Sequence, residues 1–160
     1  MKNKLLVSLS AINYQHASAT EDTNKVIHQL LDYCAIYPDD VILYQSRDMI
    51  LAGQYDAGFN NETRARSTAG AHIFLSENEA ILSWNGTVIT MAQLMKYVVS
   101  SAAEAETTAL FLTAKEMVPL CHALTKMGWK KPPSPIQSEN STAVGKINCT
   151  LIPRFRLARN

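Results

Sequence analysis

The sequence predicts an α/β domain preceded by a helical hairpin, and three observations predict it. Apolar residues recur at helical spacing from Leu5 to Cys34. Short β-prone runs broken by turn residues fill the stretch from Val41 to Trp84. One long helical pattern opens at Ser100, closes at Gly128 and precedes a strand-like Ile136-Gln-Ser138.

In chain order, Leu5, Leu6, Leu9 and Ile12 share one face of a first helix. Ser18-Ala-Thr-Glu21 has the form of a capping box, with Thr20 as an alternative cap, ahead of Val26, Ile27, Leu30, Leu31 and Cys34. Pro38 closes that second helix. Two helices of this length have no private core, so residues 1–40 read as an appendage and 41–160 as the domain proper. Val41–Tyr44 and Met49–Tyr55 are expected as strands separated at Ser46-Arg-Asp48. Gly58–Thr68 is expected as a polar loop, and Ala71–Ser76 as a strand. Asn85-Gly86 is the strongest hairpin dipeptide in the chain. Val88–Val99 fits strand and helix equally. Pro119 should kink or split the long helix, because it removes a donor and clashes with the preceding turn. Ser141–Asn148 is expected to form a last helix.

Composition excludes several classes of function. With 160 residues, 47% of them hydrophobic and 18% charged, the chain can fill a core and is not a disordered tail. No apolar run approaches the ~18–20 residues that span a bilayer. The N-terminal apolar stretch is broken by Ser8, Ser10 and Asn13, which argues against a signal peptide. Three cysteines without a C-x-x-C pair disfavour both a disulfide framework and a zinc site, and fit an intracellular, cytoplasmic protein. Residues 1–57 hold four cations against seven acids, net −3, and residues 58–160 hold eleven against seven, net +4. The basic excess is densest after residue 115 and suits a polyanion as well as an ordinary solvated surface.

Three acids stand in unusual surroundings. Asp56 ends an apolar β run just before Gly58, and Glu139 stands where a strand gives way to a helix. Glu106 shares a helical side with Ala109, Leu110 and Thr113, whereas Glu104 points elsewhere and suits the helix N-terminus. Acids at strand and helix edges repel unless cations bind between them, and two divalent ions ~4 Å apart are a known device for cleaving phosphodiesters. Helix caps and ion pairs are the commoner fates of such residues, and both stay open on spacing alone.

Several motifs in series carry a resemblance. They are Tyr55-Asp-Ala-Gly-Phe59, Arg64-Ala-Arg-Ser-Thr-Ala-Gly70, Ser83-Trp84, Ser100-Ser-Ala-Ala-Glu-Ala-Glu106 and Ile136-Gln-Ser-Glu-Asn-Ser-Thr-Ala143. In order and spacing, over about residues 15–153, they resemble the ribonuclease H domain of copia-type retrotransposon polyproteins. The resemblance implies a ribonuclease H-like α/β fold, a mixed five-stranded sheet flanked by helices. It implies metal-dependent cleavage of the RNA strand of an RNA–DNA hybrid during reverse transcription. Asp56, Glu106 and Glu139 would hold two Mg²⁺ ions, with Mn²⁺ as a substitute. Arg66, Asn140 and Ser141 would approach the hybrid backbone. Residues 1–40 would link to a reverse transcriptase domain of the polyprotein, with no membrane involved.

Two departures accompany the match. The family carries aspartate where this chain has Glu139, and its final acid has no counterpart in Pro153–Asn160, as expected of a C-terminally truncated copy. The lengthened side chain disturbs a cation that demands near-octahedral ligands at ~2.0–2.1 Å. The alternative function is therefore a catalytically decayed remnant that keeps the fold and at most binds nucleic acid or docks on a polymerase.

Overall fold

The computed structural model describes residues 5–39, 41–77, 83–129, 133–138 and 155–158. The chain divides into two compact units, 1–43 and 44–160.

The first unit holds α1 (Leu6–Gln15), a single 3-10 turn (His16–Ser18) and α2 (Glu21–Ile36). Thr20, rather than Ser18, caps α2. Its hydroxyl accepts the Thr23 N–H at 3.4 Å, and the Thr23 hydroxyl accepts the Thr20 N–H at 3.1 Å. Ser18 is already spent in the 3-10 turn, so the box shifts to the first extended residue pair that follows. The Thr23 hydroxyl also donates to Gln15 Oε1 at 2.9 Å, which ties the start of α2 to the end of α1. The apolar faces stay largely open: Leu9, Val26 and Leu31 are exposed, Leu31 by 57%.

The second unit is a mixed α/β domain. A long hairpin joins β1 (Ile50–Glu62) to β2 (Arg66–Ser76) through a 3-10 turn (Thr63–Ala65). β3 (Thr87–Leu94) pairs antiparallel with β2. The helix α3 (Ala102–Lys126) follows, and β4 (Ser134–Gln137) returns parallel to β1, matching Gly53 to Ile136 and Gln54 to Gln137. The sheet order is β3-β2-β1-β4, and Phe155–Ala158 (β5) lies in parallel register along β4.

Alternation along β1 places α3. Leu51, Tyr55 and Ala57 face the helix with Ala71 and Ile73 of β2, and meet Ala105, Ala109 and Met117. The helix lies close because the strand is bare at Gly53, where a Cβ would stand 2.9 Å from Met117 Sδ. On the opposite face Ala52 packs with Phe74, whose ring stacks on Trp84 at 5.7 Å.

Three sequence expectations are corrected here. Val41–Tyr44 is not a strand, and from Tyr44 onward polar ties hold the chain instead. The Tyr44 hydroxyl donates to the Thr87 carbonyl at 3.1 Å, Gln45 exchanges hydrogen bonds with the Asn85 side chain, and Arg47 pairs with Glu77. Asn85-Gly86 consequently leads into β3 as a polar clamp, with Asn85 Nδ2 also reaching the Leu75 carbonyl at 2.9 Å. Residues 58–68 are not one long loop: β1 runs through a bulge to Glu62, only Thr63–Ala65 turn, and β2 begins at Arg66. The ambiguous stretch 88–99 resolves as strand up to Leu94.

The third correction is Pro119, which neither splits nor ends α3. It lies on the exposed side, where water can satisfy the carbonyl left without its N–H partner. Interior proline still disfavours a helix by about 3 kcal/mol relative to alanine. Pro119→Ala is therefore expected to stabilise the domain by about 1–3 kcal/mol in urea titration, and no gain would mean that the helix has already absorbed the strain.

Both ends of α3 follow the sequence. The Ser101 hydroxyl accepts the Glu104 N–H at 3.2 Å, and the Glu104 carboxylate accepts the Ser100 N–H and hydroxyl, both at 2.7 Å. At the other end Gly128 takes φ +92°, and the N–H groups of Gly128 and Trp129 close on the carbonyls of Thr125 and Leu124. The Ser100 hydrogen bonds hold the Glu104 pKa below its ordinary 4.5. A lowered carboxylate pKa stabilises above the unfolded value and loses that effect as pH falls through the folded one. The Tm advantage of the parent over Glu104→Gln should thus be full at pH 6 and shrink below about 4.5; a constant difference would refute this.

Candidate functional site

The C-terminal half of β1 carries the first candidate acid. Register with β2 is unbroken from Ile50↔Ser76 to Gly58↔Thr68, so side chains alternate strictly through this stretch. Gly53 and Tyr55 face α3, and Asp56 points to the other face, exposed. Glu106 sits in the second turn of α3 on the sheet side, only 9% exposed, and Ala109, Leu110 and Thr113 on its side are all buried. Glu104 is fully exposed, as the two-face reading of the E-A-E motif requires.

Glu106 meets β1 and β4 through Tyr55 and Ser138. Burial pushes the Tyr55 phenol pKa up, the adjacent Ser138 side chain opposes this, and the nearby Glu106 carboxylate pushes it further up. Tyr55 is 2% exposed and Ser138 5%, so three polar side chains from three distant segments share one dry location. Tyr55 directly precedes Asp56 in the chain, and Ser138 directly precedes Glu139. Sequence reasoning found Glu106 but not its two neighbours. Their signal was their position immediately before the two other candidate acids.

Other candidates fall elsewhere or outside. Glu139, Asn140 and Ser141 lie outside the described residues, as does the expected helix at 141–148. Arg66 opens β2 opposite Glu62, four residues before Gly70, the partner of Asp56, roughly 13 Å along the strand at ~3.3 Å per residue. The structure therefore does not bring Arg66 to the Tyr55–Glu106–Ser138 cluster. Among the described residues no three of His, Cys, Asp and Glu gather into a metal-binding group. His72, whose pKa burial pushes down, opposes Gln54 on the face away from α3.

The fit to divalent ions has a geometric condition. Asp56 lies on the face of β1 that turns away from α3, and α3 carries Glu106, so the two can share an ion only around the strand edge that β4 lines. In the sequence Glu139 comes two residues after the end of β4. An all-carboxylate donor set there suits a hard cation such as Mg²⁺ or Mn²⁺.

Comparison of the chain with protein-family models, with curated proteins and with solved structures finds no match. Among the described residues no helix is long and apolar enough to cross a membrane.

Proposed function

We propose that residues 44–160 form a ribonuclease H-like domain that cleaves the RNA strand of RNA–DNA hybrids, as in the reverse transcription of a retrotransposon. The reading rests on one observation. Glu106 is buried beside Tyr55 and Ser138, the residues immediately before Asp56 and Glu139. Three motifs that are far apart in sequence thus meet at one point, in a domain ordered as an antiparallel meander, a helix and a strand returning parallel to the first. The finer fold in this reading is the five-stranded ribonuclease H-like sheet, completed by β5.

In this reading Asp56, Glu106 and Glu139 hold Mg²⁺ or Mn²⁺, which when bound activates a water and stabilises the leaving oxygen. The chain itself supplies the fixed carboxylate of Glu106, made rigid by its burial against the sheet. Residues 1–40 are the connection to a polymerase domain.

A second reading is a domain that keeps the fold and binds hybrid without cutting it. The exposed position of Asp56, on the face opposite the one Glu106 meets, favours it. Cleavage of a labelled hybrid in Mg²⁺ and in Mn²⁺ separates the two. The nuclease reading expects slow cutting, faster in Mn²⁺, abolished by Asp56→Asn and raised by Glu139→Asp. An inert parent that Glu139→Asp revives has decayed at that one position. If neither cuts, the catalytic reading falls.

A further inference from the structure

The turn between β1 and β2 is built in an unusual way. Asn60, Arg64 and Ala65 all take left-handed backbone, with φ of 52°, 62° and 55°. None is glycine, so each carries a steric penalty that the surrounding structure must hold in place. The restraints are visible. The Asn60 N–H donates to the Ser67 hydroxyl at 3.0 Å, and Ser67 is fully buried. Asn61 Nδ2 donates to the Thr68 hydroxyl at 2.9 Å, across the bulge that separates Gly58 from Glu62. A tip fixed this firmly holds Arg64 out in solvent. Among the described residues neither Arg64 nor Arg66 pairs with a carboxylate, and Glu62 across from Arg66 is not bonded to it.

We infer that this tip is a phosphate-backbone contact for double-stranded nucleic acid, with Arg64 as its principal cation beside Arg66. The inference rests on the hybrid-cleaving reading and deepens it. The tip and Asp56 are parts of one hairpin, Arg66 standing roughly 13 Å along β2 from Gly70, the partner of Asp56, so the same element carries both the backbone contact and the candidate acid. Among the described residues neither guanidinium is neutralised by a carboxylate, and although Arg66 Nε donates to the Thr63 carbonyl at 3.5 Å, guanidinium groups complement phosphates, which they can bind through two parallel hydrogen bonds. A contact of this kind carries no sequence preference.

The test is fluorescence anisotropy of a labelled RNA–DNA hybrid with the full chain in EDTA, over a series of salt concentrations. Arg64→Gly and Arg66→Ala should each weaken binding and make the plot of log K against log salt shallower by about 1. Arg64→Gly carries a second readout. Glycine adopts left-handed backbone freely, so its Tm should match or exceed that of the parent while its affinity falls. A structural role for Arg64 would move both in the same direction. If the parent binds the hybrid in a salt-dependent way and both variants keep its slope, this inference is overturned and the hybrid-binding reading survives. If the parent binds no hybrid even at 50 mM salt, the reading itself fails and takes the inference with it.

Discussion

Gly53→Val is expected to cost about 3 kcal/mol, a large fraction of the domain's stability. A Cβ at this position would stand 2.9 Å from Met117 Sδ and 3.4 Å from Thr113 Cγ2. Both partners are fully buried on α3, so neither can swing into solvent. Relief requires the helix to lift from the sheet, and overpacking of this kind costs about 1–3 kcal/mol even when a core can adjust. Valine adds two further methyl groups in the same direction. Domains of this size are stable by only about 5–15 kcal/mol, so the shift in urea midpoint would be large. Met117→Ala should partly rescue Gly53→Val, because each substitution relieves what the other creates, although alone it leaves a cavity costing about 2–5 kcal/mol. An unchanged midpoint for Gly53→Val would mean that α3 does not lie on β1 as described.

How much of this was legible in the sequence depends on what holds each element. The helix α3 was readable at both ends, because a serine cap and a left-handed glycine are local chemistry that needs no partner. The buried side of Glu106 was readable from Ala109, Leu110 and Thr113, since spacing alone fixes which residues share a helix face. The outer half of the β1–β2 hairpin was not. Asn60 and Asn61 are tied to the Ser67 and Thr68 hydroxyls and Glu62 pairs with Arg66 on an exposed ribbon, where no apolar alternation is needed. Val41–Tyr44 misled for the converse reason: it has β-prone residues but joins no strand of the sheet. Of the two outcomes expected at Pro119, splitting does not occur, because on the exposed side water can satisfy the carbonyl that loses its partner. The convergence of Tyr55, Glu106 and Ser138 could not be inferred from local pattern, because it exists only once β4 has returned beside β1.

Glu106→Gln tests the site most sharply, because folding and function make opposite demands on it. A carboxylate 9% exposed on the core side of a helix violates the rule that places apolar residues there. Sites where local folding logic fails in this way are expected to be functional. Glutamine keeps the volume and removes the charge, so Tm should hold or rise. Cleavage of the hybrid should fall by about 100-fold or more, since losing even a residue that only supports a metal ligand costs about 10–100-fold. Binding of the hybrid in EDTA should be unchanged, which separates a lost catalytic group from a lost surface. Full activity in Glu106→Gln would reduce the buried acid to a packing residue and remove the nuclease proposal. A Tm that drops sharply would show instead that the carboxylate anchors the junction of Tyr55 and Ser138. Only activity lost at intact stability and intact binding identifies Glu106 as a residue kept for chemistry at the expense of packing.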